Sequence, residues 1–137
     1  GSNVKGHILD ALQKYEPMLS DENTIGVVGD FNNSIVWDKP RSLITFQKAI
    51  EKFKTFGMFS VYHKSRGENF GNETKATLYL TKEKEKTYHI DYMFARKSGT
   101  VDIGNYDDWI KYSDHMPLIV NLPIGVLWIW MMIIKMK

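Results

Sequence analysis

The chain has 137 residues, 43% hydrophobic and 25% charged, which is the make-up of one compact domain and leaves no room for a second. Its 18 basic and 16 acidic side chains give a formal charge of +2, so no global field advertises nucleic-acid binding and any basic groove must be local. The absence of cysteine excludes a disulfide framework and thiolate metal sites; it fits a reducing compartment, and the expected location is cytoplasmic.

The N-terminus lacks the charged and then apolar regions of a signal peptide. Gly1-Ser2 without an initiating methionine reads as a tag remnant or an excised segment, which places the natural start upstream. Ile8, Leu9, Leu12 and Tyr15 then recur at near-helical spacing, and Pro17 predicts that this surface helix stops by about that point. After the polar stretch Ser20 to Asn23, the β-branched run from Thr24 to Val28 predicts a buried strand ending on Gly29. Leu43, Phe46, Ile50 and Phe53 share one helical stripe, with Lys48, Glu51, Lys52 and Lys54 on the other face and Gly57 as the stop. Beyond Gly57 strands are expected over Met58 to Tyr62, Thr74 to Thr81, Tyr88 to Ala95 and Pro117 to Leu122. Lys64 to Glu73 reads as an ordinary solvated connection, with a mobile substrate-side loop as the alternative, and the charged run Thr81 to Thr87 as a hairpin tip.

Three acidic motifs punctuate these elements in order: Gly29-Asp30-Phe31-Asn32, His89-Ile90-Asp91-Tyr92 and Ser113-Asp114-His115-Met116-Pro117-Leu118. Each sets a carboxylate at or just beyond a strand-like run, where a sheet can hold it toward a shared cleft. Phosphate-ester hydrolysis needs that convergence, because a divalent cation, a positioned water and an imidazole must meet at one phosphorus. Singly, the first motif reads equally well as an Asp/Asn turn at a strand end. Asp91, set among Ile90, Tyr92, Met93 and Phe94, needs a hydrogen-bonded partner in any case if it is buried. His7, His63 and His89 read as structural, and Trp37 and Trp109 as packing residues, while the loop Ser34 to Arg41, which directly follows the first motif, is a candidate substrate contact.

Over roughly Ile8 to Leu122, the ordered trio resembles the endonuclease/exonuclease/phosphatase superfamily, which includes exonuclease III, deoxyribonuclease I, sphingomyelinases and inositol polyphosphate phosphatases. The resemblance implies that Asp30 orients or deprotonates the attacking water and also faces the metal. It implies that Asn32 donates its amide to a phosphate oxygen and that Asp91 holds the tautomer of His115. It further implies that His115 stabilises the phosphoryl oxygens and that Asp114 lies toward Mg2+ or Mn2+, directly or through water. Thr77 matches the threonine of the family's strand before the second motif and enters as a substrate contact, with Leu78 where the family has an aromatic residue.

Family members are built from two similar halves with face-to-face sheets, and their first half supplies an asparagine and a metal-binding glutamate. Neither motif is present here. The expected fold is therefore α/β (α+β): half of the four-layer sandwich typified by deoxyribonuclease I, one mostly antiparallel sheet with two helices on its outer face. Residues 1–122 make up that half, and 123–137 form an atypical apolar tail. The expected function is divalent-metal-dependent phosphodiester hydrolysis, with nucleic acid as the favoured substrate; the alternatives are a catalytically silent fragment or binding module and a phosphoinositide or phospholipid phosphoesterase. Lys39, Arg41, Lys64 and Arg66 are expected to flank the cleft. An isolated half exposes an apolar sheet face, to be covered by a partner chain, a second copy or the tail. Thirteen apolar tail residues, Leu122 to Ile134, fall short of a bilayer span, so an extra strand or core helix is expected there.

Overall fold

The computed structural model describes residues 7–135; the Gly1-Ser2 start and the closing Met136-Lys137 lie outside them. The chain forms α1 (Ile8–Lys14), α2 (Glu16–Leu19), β1 (Gly26–Asp30), α3 (Phe46–Thr55), β2 (Phe59–Ser60), α4 (Val61–Arg66), β3 (Leu78–Tyr79) and β4 (Thr87–Tyr88). There follow β5 (Asp91–Ala95), β6 (Thr100–Ile103), α5 (Tyr106–Trp109), β7 (Leu118–Ile124) and β8 (Leu127–Ile133). This is an α+β fold whose open sheets are antiparallel throughout the described residues. The strands divide among three sheets, β1-β5-β2, β3-β4 and β6-β7-β8, where one sheet was expected.

Local chemistry explains the divisions. Pro17 does not end the first helix region but sits in the first turn of α2, where its missing N–H has no helical partner to lose. The strand expected over Met58 to Tyr62 pairs only at Phe59 and Ser60, because the Ser60 hydroxyl then caps α4 by accepting the His63 N–H at 3.4 Å. The run expected over Tyr88 to Ala95 breaks at His89 and Ile90. There the N–H groups of Ile90 and Asp91 are taken by the Thr77 hydroxyl, at 2.8 and 3.1 Å, rather than by a strand partner. The β3–β4 hairpin carries the charged tip in the expected place. β6 was not among the expected strands, although Thr100-Val101-Asp102-Ile103 alternates polar and apolar residues.

Two cores flank β5, and strand alternation explains why. Tyr92 and Phe94 point into the first, against Phe46, Ala49 and Phe53 of α3 and Leu12 of α1. Met93 and Ala95 point into the second, against Val61 and Tyr62 of α4 and Val101, Leu118 and Val120 of the β6–β7 ladder. All five β5 residues are consequently buried, and Asp91, in phase with Met93 and Ala95, is carried toward the second core. Leu43 does not join the α3 stripe and is 79% exposed, because the helix starts later, at Phe46.

The apolar tail is a strand. β8 pairs with β7 at seven register positions from Leu118↔Ile133 to Ile124↔Leu127, around a two-residue loop whose first position, Gly125, has φ 61°. The boundary drawn at residue 122 thus falls inside β7. Met131 and Ile133 pack on the second core, while Trp128 and Trp130 face outward. No helix among the described residues is long and apolar enough to cross a membrane.

Candidate active site

Pairing of β1 with β5 places Asp30 directly opposite Asp91. Gly29, inside β1 at φ 152°, has no neighbour within 4 Å of where a Cβ would stand, so the requirement for glycine is conformational. Two carboxylates facing each other on a sheet repel unless something positive intervenes.

His115 sets a ring nitrogen toward each of them. It is 2% exposed and enters from the segment before β7, fixed by a bridge to Leu78 and by its own N–H donating to the Ser113 hydroxyl at 3.0 Å. Its Nδ1 lies 3.1 and 2.9 Å from the two Asp91 oxygens. An ionised carboxylate only accepts, so Nδ1 carries the proton of that bond. Its Nε2 is thereby turned toward Asp30, 3.8 Å from Oδ2.

The two oxygens of Asp30 divide their work. Oδ1 accepts the Asn32 N–H at 2.7 Å, closing an Asp turn, while Oδ2 faces Lys135 Nζ at 2.6 Å and His115. Burial pushes the Asp30 carboxyl upward, but Lys135, the Asn32 N–H and His115 more than reverse this and hold it below its ordinary value. Tyr92 fastens the loop that follows, its hydroxyl donating to the carbonyls of His89 at 2.7 Å and Asn33 at 3.0 Å.

The expected site residues therefore separate into groups. Asp30, Asp91 and His115 offer ligand atoms that all lie within 4.8 Å of one another. Asp114, expected beside the metal with Asp30, is half-buried and falls outside that trio; its carbonyl accepts the Tyr79 N–H at 2.8 Å. Asn32, two residues past Asp30, is exposed with φ 49°, a left-handed conformation that asparagine tolerates, and is not among the residues lining the cavity beside Asp30 and Asp91. Thr77 corrects the expectation of a substrate contact: it is 0% exposed, and its hydroxyl is committed to the strand that carries Asp91. It is a positioning residue.

The basic residues expected around the cleft also sit elsewhere. A cavity of about 260 Å3 beside Asp30 and Asp91 is walled by Met116, Leu118, Ile133, Ile134 and Lys135, with none of Lys39, Arg41, Lys64 or Arg66 among its lining. Arg66 is bound to Glu68 at 2.9 Å, and Lys64 lies over the Phe59 ring. His63 and His89 are buried structural residues as expected: His63 bridges Ser60 at 2.6 Å and Glu73 at 2.7 Å, and His89 donates through Nδ1 to the Lys75 carbonyl at 2.9 Å.

Sequence reasoning missed Ser113 and Lys135. Ser113 lies within a motif already singled out and could have been found there. Lys135 follows an apolar run and is linked to Asp30 only by the return of β8, so no local pattern signals it.

The residues fit a hard cation in one respect. An ammonium already seats itself on Asp30 Oδ2, and Asp91 and Asp114 act on that same ammonium in the attractive sense. The donor set supplies carboxylate oxygens of the kind Mg2+ or Mn2+ accepts, with few protein ligands and room for water. No protein-family model, curated protein or solved structure matches the chain.

Proposed function

We propose that the chain acts in divalent-metal-dependent phosphodiester hydrolysis, as the C-terminal half of a domain of the endonuclease/exonuclease/phosphatase type, with nucleic acid as its substrate. One observation carries this reading: Asp91, His115 and Asp30 stand in line, with Nδ1 bound to one carboxylate and Nε2 aimed at the other. Such an array orients an imidazole and leaves its second nitrogen free to act on a reacting phosphate.

In this mechanism His115 acts as the imidazolium, its Nδ1–H held by Asp91 and its Nε2–H donating to a phosphoryl oxygen as charge grows on it. Asp30 orients the attacking water and accepts its proton. Asn32 donates its side-chain amide to a second phosphate oxygen without adding negative charge. Asp30 Oδ2 would hold the Mg2+ or Mn2+ ion, with Asp114 nearby, and the ion would polarise the phosphoryl group. In the family that the chain resembles, a glutamate from the first half of the domain completes the metal site.

The test fuses this chain to a first half of the family's type that carries the metal-binding glutamate, and follows plasmid nicking by this extended protein with Mg2+. Turnover that falls on the order of 10³-fold in His115→Ala supports the assignment, and unchanged turnover defeats it. A second reading, a phosphate-binding domain without turnover, is favoured by the seat of Lys135 on Asp30; phosphate binding with no nicking by the extended protein would select it.

A further inference from the structure

The wall of the site opposite β1 and β5 is made by the chain after β8. The pair Leu118↔Ile133 fixes where β8 ends, and two residues later Lys135 reaches back across the cavity to Asp30. Its backbone is anchored separately, the Ser113 hydroxyl donating to the Lys135 carbonyl. Ser113 is fully buried, and its oxygen also accepts the His115 N–H. One serine therefore sets the position of both the imidazole and the ammonium.

Charge explains why the ammonium stays. Asp30 and Asp91 face each other in register, and His115 satisfies Asp91 through Nδ1 but stops 3.8 Å short of Asp30 Oδ2. The remaining negative charge is met by Lys135 at 2.6 Å, with Asp30 mostly buried and Lys135 half exposed. A metal bound to the same oxygen would stand within contact distance of that ammonium, where two positive charges repel.

We propose that Lys135 is a built-in counter-cation of this site and that a divalent cation gains Asp30 only by displacing it. The proposal rests on the metal-dependent reading above and adds a competition within the chain: binding of the ion releases the Lys135 ammonium from Asp30, while the Ser113 hydroxyl keeps the Lys135 backbone in place.

Calorimetric titration of Mn2+ into the chain and into Lys135→Met and Lys135→Gln tests the competition, with circular dichroism as the check on folding. Affinity should rise roughly tenfold in both variants, through loss of one charge-assisted hydrogen bond and of the repulsion. In parallel, acetylation of Lys135 by acetic anhydride, read by mass spectrometry, should accelerate when Mn2+ is added to the unsubstituted chain and, without metal, in Asp30→Asn. Equal Mn2+ affinity in all three proteins overturns the competition and leaves the metal site standing. Absence of Mn2+ binding in the two lysine variants overturns the competition and shows that this chain holds no metal by itself, a result that leaves the nicking assay above to decide the metal-dependent reading. Lys135 labelling indifferent to both Mn2+ and Asp30→Asn shows that the ammonium is not held at Asp30, which also overturns the proposal.

Discussion

Asp91 is buried at 6% exposure and both of its oxygens are engaged by one imidazole nitrogen, so its charge and its geometry are used together. Asp91→Asn keeps the shape but presents an amide that can donate to Nδ1, permitting the wrong tautomer. Turnover of the extended protein should fall by about 10³-fold or more with little change in KM, as steady-state kinetics would show. Thr77 acts one step further out. Thr77→Val removes the acceptor for two buried N–H groups and should lower stability by about 1–3 kcal/mol in urea denaturation. Glu68 gives a pH signature away from the site. Burial raises its carboxyl, but the Thr74 N–H, Tyr62, the Thr74 hydroxyl and Arg66 outweigh that and lower it from the ordinary 4.5 to about 2. Below the ordinary value the unfolded state binds the proton first, so this stabilisation is complete above pH 4.5 and is lost as pH falls toward 2. Glu68→Gln should flatten that part of the stability profile.

At the level of elements, α3 owes its start to a carboxylate outside it. Asp38 accepts the N–H of Phe46 at 2.6 Å and of Gln47 at 2.9 Å, while the Thr45 hydroxyl takes the Lys48 N–H at 3.2 Å. Three otherwise unpaired donors are satisfied, and the negative charge lies at the positive end of the helix. Asp38→Ala should cost about 1–2 kcal/mol, measured as a lower urea midpoint with an unchanged slope. Because α3 presents Phe46 and Phe53 to the Tyr92 and Phe94 face of β5, the same loss bears on the strand that holds Asp91.

For the whole molecule, the site lies at the border between two packed cores. β5 separates them, contributing aromatic side chains to one and Asp91 with its apolar neighbours to the other. The β6-β7-β8 sheet closes the second core but ends in an apolar outer strand, with Trp128 60% and Trp130 65% exposed. An edge of that composition is a template for association. Trp128→Lys with Trp130→Lys should reduce self-association in static light scattering while shifting unfolding free energy by no more than about 0.5 kcal/mol, since neither indole is in the core.

Sequence alone determined the α+β class, the α3 stripe, the β3–β4 hairpin and the order of the acidic motifs, because periodicity, caps and turn residues act within a few positions of each other. The Asp91 and His115 pair was legible through its motifs and through the cost of burying a lone carboxylate. The role of Thr77 was not, since it depends on hydrogen bonds to residues 13 and 14 positions away. The division into three sheets was equally hidden, because Ser60 and Thr77 divert backbone groups from strands that their sequences favour. Lys135 lies 105 positions from Asp30. Only the return of β8 along β7 brings that ammonium to the carboxylate, and no pattern along the chain encodes a contact that exists solely through tertiary pairing.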